Sequence, residues 1–173
     1  MRTLLVTLAL TVAFLAHAEE ENPLKKANVG DWVEWKTATK AGGFAMEGNM
    51  KQTLVAKTDS EATLEVANNM QGQEFKQQVK VNLNEKYDPR KTAPGAEVKE
   101  LGKGEESLTV AGKTVKTQWS EYQITMDHGG QKMTVKGKAW VSKDVPLGGL
   151  VKMESEMGGL GKQSMELVGF GSK

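Results

Sequence analysis

KTVKTQWSEYQITMDHGGQKMTVKGKAWVSKDVPLGGLVKMESEMGGLGKQSMELVG, residues 113 to 169, is the stretch that decides the fold. Apolar and polar residues alternate through it with a period near two, as they do in strands that bury one face. Four strands are expected. Val115 to Met126 is closed by Asp127-His128-Gly129-Gly130, and Gln131 to Ser142 by Lys143-Asp144-Val145-Pro146-Leu147-Gly148. Gly149 to Met157 is closed by Gly158-Gly159-Leu160-Gly161, and Gln163 to Phe170 follows. Short intervals rich in glycine, asparagine or aspartate, and proline turn the chain back on itself, so the strands form an antiparallel meander. In the first strand the apolar positions change parity: Val115, Thr117 and Trp119 share one face, Tyr122, Ile124 and Met126 the other. An extra residue at Ser120-Glu121, a β-bulge, would restore a common face. Trp140 falls on the face opposite its neighbours.

Upstream, the same rhythm predicts strands at Trp32 to Thr39, Phe44 to Lys57, Glu61 to Ala67, Glu74 to Leu83 and Glu105 to Val110. Ala41-Gly42-Gly43, Thr58-Asp59-Ser60 and the stretch Asn68 to Gln73 supply the turns. Phe44, Met46 and Met50 share a face, as do Phe75, Val79, Val81 and Leu83. Asn84 to Gly104 holds Pro89, Pro94 and three glycines, and reads as one long irregular loop with a short helical turn near Ala96 to Leu101. A loop of this length is a functional segment or a crossover between two halves of one sheet. No segment after residue 18 has an amphipathic helical pattern of useful length. The expected fold is therefore all-β and mostly antiparallel, a strongly curved meander sheet forming a half-barrel or open barrel.

Residues 1–18 read as a cleaved Sec-type signal. Arg2 gives a positive start, Leu4 to Leu15 an apolar run too short to span a bilayer, and Ala16-His17-Ala18 the small residues of a cleavage site. Residues 19–29 are expected to be a flexible lead-in, with one helical turn at Leu24 to Ala27, and 30–173 a single β domain. The chain after the signal is periplasmic or secreted on this reading, without a transmembrane anchor. Arg2 is the one formally charged residue removed, so 22 basic groups balance 22 acidic ones. A neutral chain without a basic tract gives no footprint for nucleic acid and none for an anionic membrane. There is no cysteine to carry a lipid anchor, a disulfide or a thiolate metal site. The absence of any Asn-x-Ser/Thr sequon fits a bacterial envelope.

The inventory for catalysis is poor, and no enzyme is expected. His128, the single histidine after the signal, lies in a glycine-rich turn, whereas a hydrolase needs a base oriented between a third group and a nucleophile. One histidine without cysteine cannot begin a zinc site. Carboxylates such as Glu154 and Glu156 alternate with apolar residues on strands and read as a solvated face. No phosphate loop or dinucleotide fingerprint is present, and no cofactor is expected.

Methionine is the unusual component: eight remain after the signal. Thioethers fill irregular cores, form deformable surfaces for apolar ligands, or bind Cu(I). The last would need partners from neighbouring strands, because Met46/Met50 and Met153/Met157 lie ~13 Å apart along their strands. Trp32 and Trp35 have opposite parity, so one of them lies off the core.

Glu105 to Lys113, Lys138 to Pro146 and Gly149 to Lys152, with a looser echo at Val29 to Trp32, resemble a broad set of exported bacterial β-rich proteins of the LolA/LolB-type lipoprotein-carrier class. In that class a curved antiparallel sheet folds round a helical or loop plug. The resemblance implies an apolar concave face that takes acyl chains. Face parity nominates Trp35, Phe44, Met46, Met133, Val135, Met153 and Met157 as contacts for an apolar ligand, a lipid or a lipoprotein. The alternative is a structural or interaction protein of the envelope with a packed core and no small-molecule ligand.

Overall fold

The computed structural model describes residues 22–85, 97–110, 112–128, 131–157 and 161–172. The expected signal segment, the prolines at 89 and 94 and the Gly129-Gly130 turn lie outside them. Nine strands form one antiparallel sheet: β1 (Trp32–Ala41), β2 (Phe44–Lys57), β3 (Glu61–Met70), β4 (Gln73–Asn82), β5 (Glu97–Val110), β6 (Lys113–His128), β7 (Gln131–Val141), β8 (Leu150–Met157) and β9 (Gly161–Gly171). Their order is β4-β3-β2-β1-β9-β8-β7-β6-β5. Two meanders, β1 to β4 and β5 to β9, are thus joined where β1 pairs with β9, and the connection from β4 to β5 links the two outer strands. The sheet is curved and does not close: β5 approaches β9 although three strands lie between them. Among the described residues no helix is long and apolar enough to cross a membrane.

Three expectations need correcting. The irregular stretch is shorter than Asn84 to Gly104, because β5 begins at Glu97 and no helical turn forms at its start. Gly102 and Gly104 sit within the strand, and the ring of Trp119 on β6 covers them. Residues 22–29 hold the expected helical turn, one residue earlier and 3-10 in kind, and are tied to the sheet where a flexible lead-in was expected. Pro23–Lys25 forms a 3-10 turn capped by the Asn22 side chain, Leu24 and Ala27 are buried, and the Lys57 ammonium donates to the carbonyl of Ala27 at 2.7 Å. Finally, β6 has no bulge at Ser120-Glu121, since its register with β7 runs unbroken from Gln118 to His128. The extra residue is Leu101 on β5, opposite Glu121 and Tyr122. The parity change is real: β6 buries Val115 and Thr117 on one face, then Ser120, Tyr122 and Ile124 on the other.

Three further bulges place Val55 on β2, Val151 on β8 and Val168 on β9 outside the pairing. The β1–β2 and β3–β4 hairpins close with Gly42-Gly43 and Gln71-Gly72, all at positive φ, the geometry whose twist matches the flanking strands.

The registers assign each residue to a face. Val33, Trp35, Met50, Leu54, Leu64, Val66, Met153, Met165 and Leu167 lie on one face and are buried. At one end this apolar face is covered by the 3-10 turn and by the loop from Ser142 to Gly149, whose Val145 and Leu147 join the same core. The other face is polar, with ion pairs such as Lys36–Glu47 (3.0 Å), Lys152–Glu154 (2.8 Å) and Lys162–Glu156 (3.6 Å). It also carries Trp32, Trp119 and Trp140, the last of them buried. Lys51 lies over Trp32, and Lys138 sits between Trp119 and Trp140, 3.9 and 5.0 Å from the ring centres. The Trp140 indole N–H donates to the Glu106 carboxylate.

Candidate binding face

All eight methionine positions from Met46 to Met165 fall by register on the apolar face. Met153 stands opposite Met165, Met126 opposite Met133, and Met157 opposite Val135. A row of soft side chains therefore runs across the sheet. Its exposure is graded. Towards the plugged end the face is closed: Trp35 is fully buried, and its indole N–H donates to the carbonyl of Leu150 at 2.9 Å.

Towards the tips of the β1–β2 and β3–β4 hairpins, and along β4, the same face opens. Phe44 is 78% and Phe75 58% exposed, and Met46, Met70 and Val79 lie between 38 and 42%. By register Met70 stands opposite Gly48, two residues from Met46, and Phe75 opposite Asn68, two from Met70; Phe44 lies further out on β2, and Gln77 separates Phe75 from Val79, which stands opposite Leu64. Gly48 makes room for this. A Cβ there would lie 2.5 Å from the Asn69 carbonyl oxygen and 3.3 Å from Met70 Cγ, so its absence lets β3 and the Met70 side chain close over β2.

The seven residues nominated from parity all lie on this face, at different depths. Trp35 and Met153 are buried in the core; Met133, Val135 and Met157 are half-buried; Phe44 and Met46 are exposed. Met70, Phe75 and Val79 belong to the open strip and were not nominated. The sequence shows the parity of Phe75 and Val79, but it reads Met70 as part of the turn from Asn68 to Gln73, and it does not show the register that brings β3 and β4 beside β2. Neither of two clefts in the surface includes any of the seven. One, of about 510 Å³, crosses the polar face between Lys40, Lys136, Lys162, Glu121 and Glu154. The other, of about 950 Å³, lies at the plugged end beside Asp31, Glu105, Lys116 and Asp144. The exposed apolar surface is an open strip, flanked by charged strand faces, and not a closed cavity.

Tyr122 lies on the apolar face of β6, buried over Gly137, and burial pushes its phenol up to about 12. It stays neutral throughout the physiological range and contributes packing and no charge.

No family model matches the chain, and no curated protein matches it in sequence. Solved structures do match in shape. A protein of Bacteroides fragilis NCTC 9343, described as exported and as having a YmcC-like fold, superposes with a TM-score of 0.54 over 93% of this chain and 100% of its own, at 11% identity. A protein of Parabacteroides distasonis ATCC 8503 described as a lipoprotein gives a TM-score of 0.45 over 83% of this chain and 97% of its own, at 13% identity. At such identities the first likeness is one of fold.

Proposed function

We propose that this is an exported, non-enzymatic protein of the cell envelope that binds an acyl chain, presented by a lipid or by a lipoprotein, on the open end of its apolar face. The observation that carries the reading is the strip of Phe44, Met46, Met70, Phe75 and Val79, exposed yet continuous with the buried core. An apolar patch rimmed by charge on a soluble domain marks a surface with a partner. Methionine suits a chain of no fixed shape, because its thioether rotates and polarises to follow the ligand. Export rests on residues 1–18, and the resemblance to the LolA/LolB-type carriers points to the same ligand class. Here the 3-10 turn and the Ser142 to Gly149 loop cover one end of the apolar face.

Native mass spectrometry of the chain recovered from the periplasm should show co-purifying lipid, and a fluorescent long-chain fatty acid should titrate onto it. Phe44→Asp should weaken that binding by roughly tenfold, the loss of one aromatic contact. Lys36→Ala, on the polar face, should leave it unchanged. Absence of lipid together with no titratable binding, or equal binding by Phe44→Asp, would overturn the assignment. The burial of Trp35 and Met153 favours a second reading for the plugged half: a packed envelope interaction module with no small ligand there.

A further inference from the structure

The two outer strands of the sheet differ. β5 carries the Leu101 bulge, two glycines and six charged residues, the devices that keep an edge from pairing with another chain. β4 has no bulge, proline or glycine. All ten of its residues pair continuously with β3, and Gln73 to Lys80 are exposed throughout. Among the described residues its outer side has no strand partner, so it presents a row of backbone donors and acceptors.

We propose that β4 pairs antiparallel with β4 of a second copy of this chain, about a twofold axis at Gln77. Symmetric pairing needs residues of equal parity to meet, so the axis passes through a residue, and charge selects which one. An axis at Lys76 sets Lys76 against itself, and one at Gln78 sets Lys76 against Lys80 twice. An axis at Phe75 pairs five residues, and one at Val79 brings no opposite charges together. At Gln77, nine residues pair, from Gln73 opposite Val81 through to Val81 opposite Gln73. Glu74 then meets Lys80 twice on the polar face, and Phe75 meets Val79 twice on the apolar face. Aromatic–aliphatic and opposite-charge cross-strand pairs are the favourable ones. The axis stands perpendicular to the sheet, so the exposed strips of the two copies join on one side into a single surface. This pairing does not rest on acyl-chain binding.

The test uses the chain expressed with its own N-terminal segment and recovered from the periplasm. Sedimentation equilibrium should give a dimer whose dissociation constant rises roughly tenfold in Val79→Lys and in Glu74→Lys. Combining Glu74→Lys with Lys80→Glu should recover most of the loss. The chain has no cysteine, so Gln77→Cys should form a disulfide between copies under mild oxidation while Gln73→Cys should not. A monomer at about 100 µM, weaker than any specific pairing of this size, refutes the proposal. So does a dimer indifferent to Val79→Lys and Glu74→Lys, or one that cross-links equally through residue 73. Phe44→Asp, two strands in from the edge, should lose fatty-acid binding and keep the dimer, which separates failure of this pairing from failure of the ligand assignment.

Discussion

Gly137→Ala tests whether aromatic rings stand in for side chains that the strands lack. Gly137 sits in the middle of β7, opposite Tyr122 on β6. A Cβ at that position would lie 2.6 Å from both Cζ and Oη of Tyr122, so the ring would have to withdraw by about 0.8 Å to reach 3.4 Å, the near edge of ordinary contact. Tyr122 is 2% exposed and held within the core, which does not yield such a displacement freely. Overpacking of this kind costs about 1–3 kcal/mol, while alanine in place of glycine gains about 0.5–1 kcal/mol by restricting the unfolded chain. The net expectation is a destabilisation of about 1–2 kcal/mol, or a fall in Tm of about 2–8 °C. Urea unfolding followed by tryptophan fluorescence measures it. Tyr122→Leu removes the ring that the new methyl meets. Gly137→Ala should therefore be neutral or stabilising in that background, giving a coupling of at least about 1 kcal/mol. A Gly137→Ala variant as stable as the parent, or a strictly additive double variant, refutes the packing account.

The same reasoning makes two shorter predictions. Trp35→Phe deletes the indole N–H, leaves the buried Leu150 carbonyl without that donor and opens a void; it should cost about 3 kcal/mol by chemical denaturation. The pH dependence of Tyr122 has a definite sign. Its phenol titrates near 10.0 when unfolded and near about 12 when folded, because burial disfavours the phenolate. The neutral side chain therefore supports the fold fully below pH 10, and that support is lost as the pH rises towards 12. Tyr122→Phe should flatten this part of the alkaline fall in unfolding free energy, and an unchanged slope would count against it.

Much of the fold was legible because one face of nearly every strand is apolar, so strand boundaries follow from alternation and turn chemistry. The bulges are legible in the sequence too. Three of the four fall at Leu-Val doublets: Leu54-Val55, Leu150-Val151 and Leu167-Val168. Two adjacent apolar residues cannot both point inward from a regular strand, and the bulge resolves each doublet by taking the valine out of the pairing. At Ser120-Glu121 the parity change has another cause. β6 buries one face near the β5–β6 turn and the other further along, so a strand covered on both sides at different points mimics a slipped one. The start of β5 was hidden because Leu101, Gly102 and Gly104 read as loop residues; only the Trp119 ring lying against those glycines makes a strand of them. The open strip needed the pairing of β2, β3 and β4, which no local pattern contains.

The grading of the apolar face follows from topology, and it separates residues that hold the fold from residues that could bind. The 3-10 turn and the Ser142 to Gly149 loop both arrive where β1 and β8 begin, so they cover that end. The opposite end carries the tight turns at Gly42-Gly43 and Gln71-Gly72, too short to fold over the face as the loop does. Phe44 and Phe75 therefore contribute little to the folded state relative to the unfolded one, since burial per area is the main apolar term. Phe44→Thr with Phe75→Thr places good strand formers at exposed positions and should change stability by no more than about 1–2 kcal/mol, while fatty-acid binding falls by more than tenfold. Trp35→Phe should do the reverse, losing stability and keeping affinity when measured well below its Tm. Parallel losses of stability and binding in both variants would mean that the open strip is part of the core after all, and the exposed phenylalanines would then have no separate role.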